Sequence, residues 1–419
     1  MKPNIDKLLS NSFYFKQAIS SSDSTGNSLG SIFSGLYPFR SNINFFNFNK
    51  DIRLLTENLK ENHYSLFSVL PDLSFFKKLT TNFDKNISYV YDKRASWLQL
   101  QGGIGEQIIQ HLKYAHRHEP WFMFVHLMDL HGPFFIPNGF DKLDYGINRY
   151  ARMLSYIDTW IGKILSQLNF ENTLLVITSD HGEYVPIIDN EISYNTTKHR
   201  LIRKIKKYFP IMDPLTHNIY GKYLKFKRDL AIKRLQKTFS PDQMRTFNHR
   251  ADETLFDETL IIPLLFFGFG ISGKKEISNQ VRQIDILPTI LDFANIRINH
   301  KIDGRSLKPF LNMTFNDLPA IIENGSNGPK KLGSLIGIRT SKHKYLRSRD
   351  SSSKNVILYD LENDVLEKKN LASSNPEIIK NMEKILNEYM SENSKIQTNA
   401  LDESELQNIE QELKKLGYL

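Results

Sequence analysis

Three runs of this chain are too uniformly apolar to alternate between a core and water: "WFMFVHL" (121–127), "LLVI" (174–177) and "LIIPLLFFGFG" (260–270). A strand covered on both faces reads this way, because neither side of it meets solvent. Around these runs the apolar spacing changes to threes and fours. Ile104, Ile108 and Leu112 mark a helix that must end before Pro120. Ile147, Tyr150, Leu154, Ile157, Ile161 and Leu165 mark a longer one with a single apolar face, and Ile284, Leu287, Ile290 and Leu291 begin a third. Strand alternating with helix is the pattern of an α/β fold, a mostly parallel central sheet sandwiched by helices. After about Leu318 the text turns to short strands, "SLIGIRTSKHKYLRS" and "NVILYDL", and then to a polar helix. The expected organisation is a large α/β domain over 1–317 and a small C-terminal antiparallel sheet plus helix over 318–419.

Composition agrees with a folded chain. With 419 residues, 40% of them hydrophobic, a large core can be buried and disorder is excluded. There is no cysteine, which removes disulfides, zinc-thiolate sites and a cysteine nucleophile together. No apolar run approaches the roughly 18 residues of a membrane span, and "MKPNIDKLLSNSFYF" lacks the apolar middle of a signal peptide. The expectation is a soluble chain, cytoplasmic or peripheral to a membrane.

Charge is concentrated in one segment. Between Lys198 and Lys237 stand thirteen Lys or Arg against Asp213 and Asp229, a local balance of +11 in a chain whose total is +9. Tyr208, Phe209, Tyr220, Tyr223 and Phe226 are interleaved with these cations. The segment lies in a basic helical insert, 190–247, and reads either as a surface for anionic membrane lipids or as a solvated helical hairpin; nucleic acid is the less favoured partner.

The polar residues at the ends of the apolar runs carry the chemistry. The first run leads into Met128, Asp129, Leu130 and His131, the second into Asp180 and His181, and His249 precedes the third. Asp and His at the carboxyl ends of strands lie where α/β sheets bind ligands, and they suit a divalent cation such as Zn, Mn or Mg. Each alone has a plainer reading. A strand-end His is commonly a hydrogen-bonded structural residue, and Asp-His-Gly is a turn that uses glycine's freedom.

Taken in order, the text resembles the sulfatase family of the alkaline phosphatase superfamily. "TSDHGE" is similar to that family's metal-binding strand end and "FVHLMDLHGPF" to its His-x-Pro segment. "HRADETLFDETLIIPLLFFG", "QIDILPTILDFANI", "DGRSLKPFL" and "YDLENDVLEKKNLA" follow in the family's order. The family's nucleophile stands ten residues before the glycine of a "TGLYP"-like stretch; here "SGLYP" sets Gly35 and so picks out Thr25. Sulfatases proper have a Cys or Ser there, in Cys-x-Pro-x-Arg, that becomes formylglycine. Thr25 is followed by Gly26, Asn27, Ser28 and Leu29, with neither the proline nor the arginine.

The resemblance implies these roles: Thr25 as nucleophile and metal ligand, with Ser24 as the alternative should the register slip by one; Asp180 and His181 as metal ligands; His131 as a catalytic donor to the substrate ester; His249 as a ligand of a second metal or of the anion itself. Asp129 and Glu183 would orient neighbours. The cofactor would be a divalent metal ion (Ca, Mn, Mg or Zn), and the substrate an anionic ester of a glycan, a lipid-linked group or a small aryl or alkyl alcohol. A threonine nucleophile favours phosphoester hydrolysis or phosphotransfer over sulfuric ester hydrolysis; an inactive or truncated sulfatase-like protein is the third reading. Family members also begin with a strand bearing one or two acidic metal ligands, ahead of a segment like "TPNIDKL". Here the text opens at "MKPNIDKL", so that strand is expected upstream of Met1.

Overall fold

The computed structural model describes residues 2–90, 99–132, 134–185, 230, 233–245, 255–313, 316–325, 334–391 and 403–416. His249 and most of the basic insert lie outside the described residues. These residues group into two compact units, one holding Leu130–Ser155 and Tyr184–Asp252, the other Lys2–Asp129, Tyr156–Glu183 and Glu253–Leu419. The description below concerns the larger unit except where stated.

Its strands are β1 (Phe13–Ile19), β2 (Ser65–Pro71), β3 (Lys85–Tyr89), β4 (Trp121–Val125), β5 (Leu174–Thr178), β6 (Ile261–Gly268) and β7 (Lys275–Arg282). Four more follow, β8 (Ala320–Glu323), β9 (Leu335–Arg339), β10 (His343–Ser348) and β11 (Ile357–Asp360). The helices that matter for the site are α1 (Pro3–Leu9), α2 (Thr25–Ser34), α3 (Gly105–Ala115), α4 (Arg149–Leu165), α5 (Ile286–Phe293) and α6 (Pro376–Ser391). α4 begins in the smaller unit and ends in the larger.

The first seven strands form two sheets, ordered β5-β6-β1-β7 and β3-β2-β4. β1 pairs in parallel with β7, and β2 with both β3 and β4, whereas β6 runs antiparallel to β1 and to β5. The α/β fold with a mostly parallel central sheet and flanking helices is therefore present, with β6 as the reversed strand. The last four strands make a separate antiparallel sheet, β11-β10-β9-β8, against which α6 packs Met382 and Leu386.

Burial follows the apolar runs only in part. Phe13, Phe15 and Phe266 are fully buried where β1 meets β6, with the first two rings 4.6 Å apart edge to face; each such burial is worth about 1.5–3 kcal/mol. β2 is buried from Leu66 to Pro71. β4 and β5, equally apolar, are only partly buried at every position. They are the edge strands of their sheets, β4 bonded to β2 and β5 to β6. Continuous hydrophobicity had suggested strands covered on all sides, and the difference lies at these edges. Ile147 departs as well. It precedes α4 and is 78% exposed, so the apolar face begins later than its spacing implies.

Beneath the C-terminal sheet lies a buried ionic cluster. Lys344, wholly inaccessible, stands 2.6 Å from both Asp257 and Glu367 and donates to the Leu255 carbonyl at 2.9 Å. Arg339 adds a second cation against Asp257 at 2.7 Å. Burial alone would raise the Asp257 carboxyl, but Lys344 and Arg339 hold it below its ordinary range. Removing one partner of such a cluster strands the opposite charges without water. Lys344→Met is expected to lower stability by about 3–5 kcal/mol, measured by urea unfolding; a loss under about 1 kcal/mol would mean that the carboxylates find water or protonate at little cost.

Candidate active site

Three of the residues singled out by sequence come together at one end of the sheet. Thr25 is the first residue of α2 and only 5% exposed. Its hydroxyl donates to Asp180 Oδ2 at 2.6 Å, and its Oγ1 lies 3.4 Å from His181 Nε2. Asp180 Oδ2 and His181 Nε2 are themselves 3.4 Å apart. The other ring nitrogen of His181, Nδ1, sits 2.7 Å from the Gly182 carbonyl, which accepts its hydrogen bond.

Local sequence explains why Thr25 stands there. β1 ends at Ile19, and Ser20, Ser21 and Ser22, short and polar, carry the chain across the sheet end. Ser24 is extended and α2 starts at Thr25, so the N–H groups of the helix's first turn lie beside the hydroxyl, where the helix dipole favours negative charge. All ten residues of α2 are buried. That requires small residues: a Cβ on Gly30 would come within 2.6 Å of the Ile43 carbonyl oxygen, and one on Gly26 within 2.8 Å of the Phe45 nitrogen. Gly35 closes the helix in the left-handed region, φ 67°, with its N–H on the Ser31 carbonyl at 2.9 Å. The capping or turn role that Thr25 would otherwise play is excluded by its place inside the helix.

Gly182 has a different use from the turn suggested by Asp-His-Gly. A Cβ there would meet the Glu258 carbonyl oxygen at 2.2 Å, and its N–H donates to the Thr259 carbonyl at 2.9 Å. The glycine lets two backbones touch and thereby fixes the Asp180–His181 pair against the start of β6.

Electrostatics favour an ionised Asp180. Burial works to raise its carboxyl, but the imidazoles of His181 and His126 and the Thr25 hydroxyl outweigh it and bring the carboxyl far below its ordinary range. His126 was missed by sequence reasoning. It follows β4 directly, with its N–H on the Val69 carbonyl at 3.0 Å, its own carbonyl accepting from the Tyr89 hydroxyl at 2.6 Å, and its ring 5.0 Å from that of Phe76. Burial pushes its imidazole down, with Asp180 pulling the other way. The signal was available: His126 ends the "WFMFV" run as Asp180 ends the "LLVIT" run, but the strand had been drawn two residues too long.

His131 lies in the smaller unit, with Nδ1 3.0 Å from the Gly132 carbonyl. Glu183 belongs to the larger unit and is partly buried. The C-terminal sheet also reaches the loop before Thr25, Glu323 donating its N–H to the Ser21 carbonyl at 3.0 Å and Gly325, just past β8, its N–H to Asp23 Oδ1 at 2.8 Å.

As ligands, Thr25, Asp180 and His181 offer the oxygen and nitrogen donors that a divalent cation takes, but only one carboxylate. Among the described residues no group of three or more His, Asp or Glu is arranged to hold a metal ion. The donor types fit a cation; their number does not.

The chain matches the family profile Sulfatase over residues 1–296, and a second profile, N-sulphoglucosamine sulphohydrolase, C-terminal, over residues 245–395. Among curated relatives, Arylsulfatase K of Homo sapiens is 29% identical over 203 residues, 45% of this chain and 38% of that protein. Arylsulfatase K of Danio rerio is 25% identical over 238 residues, 54% of this chain and 45% of that one. The matched stretch is thus under half of those relatives' length. The fold is similar to that of Ps i-CgsB bound to k-i-k-neocarrahexaose (TM-score 0.66, 17% identity, 97% of this chain and 91% of the other). It is equally similar to that of the Phosphonate Monoester Hydrolase of Agrobacterium radiobacter (TM-score 0.66, 14% identity, 93% and 91%).

Asp129, just beyond β4, is 4% exposed. Its Oδ1 accepts the Leu100 N–H at 3.2 Å, and among the described residues its Oδ2 accepts no hydrogen bond. Burial, only partly offset by the backbone N–H groups, lifts its carboxyl to about 6. A carboxyl raised on folding stabilises the fold fully below its unfolded value of about 4, and that contribution is lost as pH rises through about 6. Asp129→Asn should therefore stabilise the chain by about 3 kcal/mol at pH 8 and by almost nothing below pH 4, read from unfolding curves at the two pH values. Destabilisation at pH 8 would show that the carboxylate is held by interactions an amide cannot make.

Proposed function

The chain belongs to the sulfatase family, and from that premise we propose that it cleaves or transfers an anionic ester group by direct attack of Thr25, with phosphoesters as the preferred class. The observation that carries this is the buried Thr25 hydroxyl, aligned on Asp180 at 2.6 Å at the first turn of α2. Chemistry favours phosphorus over sulfur here. A threonine Cβ carries a methyl group, so oxidation gives a ketone and never the formylglycine aldehyde on which sulfatases proper rely. What remains is a hydroxyl that can displace an alcohol from phosphorus, the Thr25 oxygen losing its proton and bonding to phosphorus as the ester oxygen leaves with the bonding pair and takes up a proton; water or a second alcohol then gives up its own proton, bonds to phosphorus and releases Thr25, which regains its proton. The Phosphonate Monoester Hydrolase neighbour is consistent with this reading, and the Arylsulfatase K relatives favour the second, hydrolysis of a sulfuric ester.

Asp180 orients the nucleophile and does not deprotonate it. Its depressed carboxyl is a weak base, so the hydrogen bond serves to point the Thr25 proton away from the incoming ester and to stabilise positive charge nearby. A divalent cation, when bound, would supply the acidity that Asp180 cannot. Thr25, Asp180 and His181 are the residues that would hold it, with His131 and His249 kept as candidates for the substrate side. The substrate would be an anionic ester of a glycan, a lipid-linked group or a small alcohol.

Thr25→Ala should lower kcat on a bis-aryl phosphate or an aryl phosphate by at least about a thousandfold and leave the thermal transition within about 1 °C. Aryl phosphate, phosphodiester and sulfate substrates assayed side by side separate the two classes. Turnover that survives in Thr25→Ala, on any of them, assigns the nucleophile elsewhere.

The shortage of carboxylates and the partly exposed β4 and β5 would share one remedy. Helix α2 reaches both sheets, Phe33 against Phe124 of β4 with ring centroids 4.9 Å apart and Thr25 against Asp180 beyond β5. A further apolar strand, pairing with these two edges and ending in one or two Asp or Glu, would cover them and complete the cation site. An upstream-extended chain encoding such a strand should gain Mn affinity and thermal stability together relative to residues 1–419, measured by calorimetry. Tight stoichiometric Mn binding by the 419-residue chain alone would mean that an acid already present completes the site.

A further inference from the structure

The two halves of the Thr25–Asp180 pair come from different elements, and a buried carboxamide joins them. Gln283, wholly inaccessible, stands between β7 and α5. Its Oε1 accepts the Ser21 N–H at 3.2 Å and lies 3.1 Å from Ser20 Oγ, while its Nε2 donates to the Asp180 carbonyl at 2.5 Å and faces the Ser179 carbonyl at 3.4 Å. The amide has only one workable orientation. Turned over, it would set NH₂ against an N–H and oxygen against two carbonyls. Ser20 Oγ closes the ring at 2.8 Å from the same Asp180 carbonyl, with Ser28 of α2 3.0 Å away. The backbone carrying Gln283 is itself pinned, because the neighbouring Arg282 is paired with Asp285 at 2.7 Å and both are buried.

We propose that Gln283 is a positioning residue for this site, its carboxamide clamping the loop that leads to Thr25 onto the strand end that carries Asp180. The inference rests on the reading of Thr25 as nucleophile. A wholly buried carboxamide with four polar contacts is rigid, so the Thr25–Asp180 hydrogen bond is set before substrate arrives. Neither residue of the pair touches Gln283 with its own functional group, which is why the effect is on geometry and not on chemistry.

The test compares Gln283→Met, equal in length but unable to make these bonds, with Thr289→Val on α5. Thr289 Oγ1 bonds the Asp285 carbonyl at 2.6 Å and the Leu307 N–H at 2.8 Å, partners that belong neither to the loop before Thr25 nor to the strand end of Asp180. Amide hydrogen exchange over 20–28 and 179–183 should quicken at least about tenfold in Gln283→Met and stay unchanged in Thr289→Val. On the aryl phosphate that the wild type turns over, kcat should fall about tenfold or more in Gln283→Met with KM within about twofold, while Thr289→Val keeps its kcat. Ser20→Ala, a smaller change that removes the parallel link to Asp180, should give an intermediate effect and serves if Gln283→Met does not fold. Unchanged exchange overturns the clamp, and faster exchange with unchanged kcat per folded molecule overturns its positioning role. Should the wild type turn over none of the esters, the proposed function fails while exchange still decides the clamp.

Discussion

An ionised carboxylate in a place largely removed from water is the constraint around which this structure is arranged. Asp180 can keep its charge because two imidazoles and one hydroxyl converge on it, and each comes from a different stretch of chain. His181 follows it in sequence, His126 arrives at the end of β4, and Thr25 arrives at the start of α2. Each offsets part of the desolvation cost that would otherwise favour the neutral acid. The serine-rich crossing after β1, the two glycines that bring α2 close, and the backbone contact at Gly182 can all be read as consequences of holding that charge in place.

Packing is looser at two edges of the same unit. Two sheets present apolar edge strands, β4 and β5, that are partly exposed along their whole length, whereas β2 is buried from Leu66 to Pro71. Exposed strand edges are ordinarily kept short, charged or covered. Here neither carries a charged side chain. The apolar edges and the lone carboxylate at Thr25 point to the same place, although one is an observation about packing and the other about ligand number.

Elsewhere the chain buries charge for architecture. Lys344, Asp257, Glu367 and Arg339 tie the C-terminal sheet to the segment just ahead of β6, and Arg40 with Asp303 ties the segment after α2 to the segment after α5, where the Asp303 carbonyl also accepts from Arg282 of the Arg282–Asp285 pair. Such groups do little for net stability beside well-packed apolar ones, but they tolerate few alternative registers. The register matters because Glu323 and Gly325, on the C-terminal sheet, bond directly to the loop before Thr25.

Much of this was legible in the sequence, where hydrophobic periodicity is a local property. The strands at 121, 174 and 261, the α3, α4 and α5 helices and the change of architecture after Leu318 all follow from spacing that a few neighbouring residues set. The acid and imidazole at 180 and 181 were legible for the same reason, as a polar pair ending an apolar run. What sequence could not contain is which strand ends meet. The antiparallel course of β6, the half-exposure of β4 and β5, the contact of Thr25 with Asp180 across 155 positions, and the joining of both by Gln283 are decided by sheet order and by side chains far apart in the chain. Periodicity reports which face of an element is dry; only the packed tertiary structure decides which residue from elsewhere makes it so.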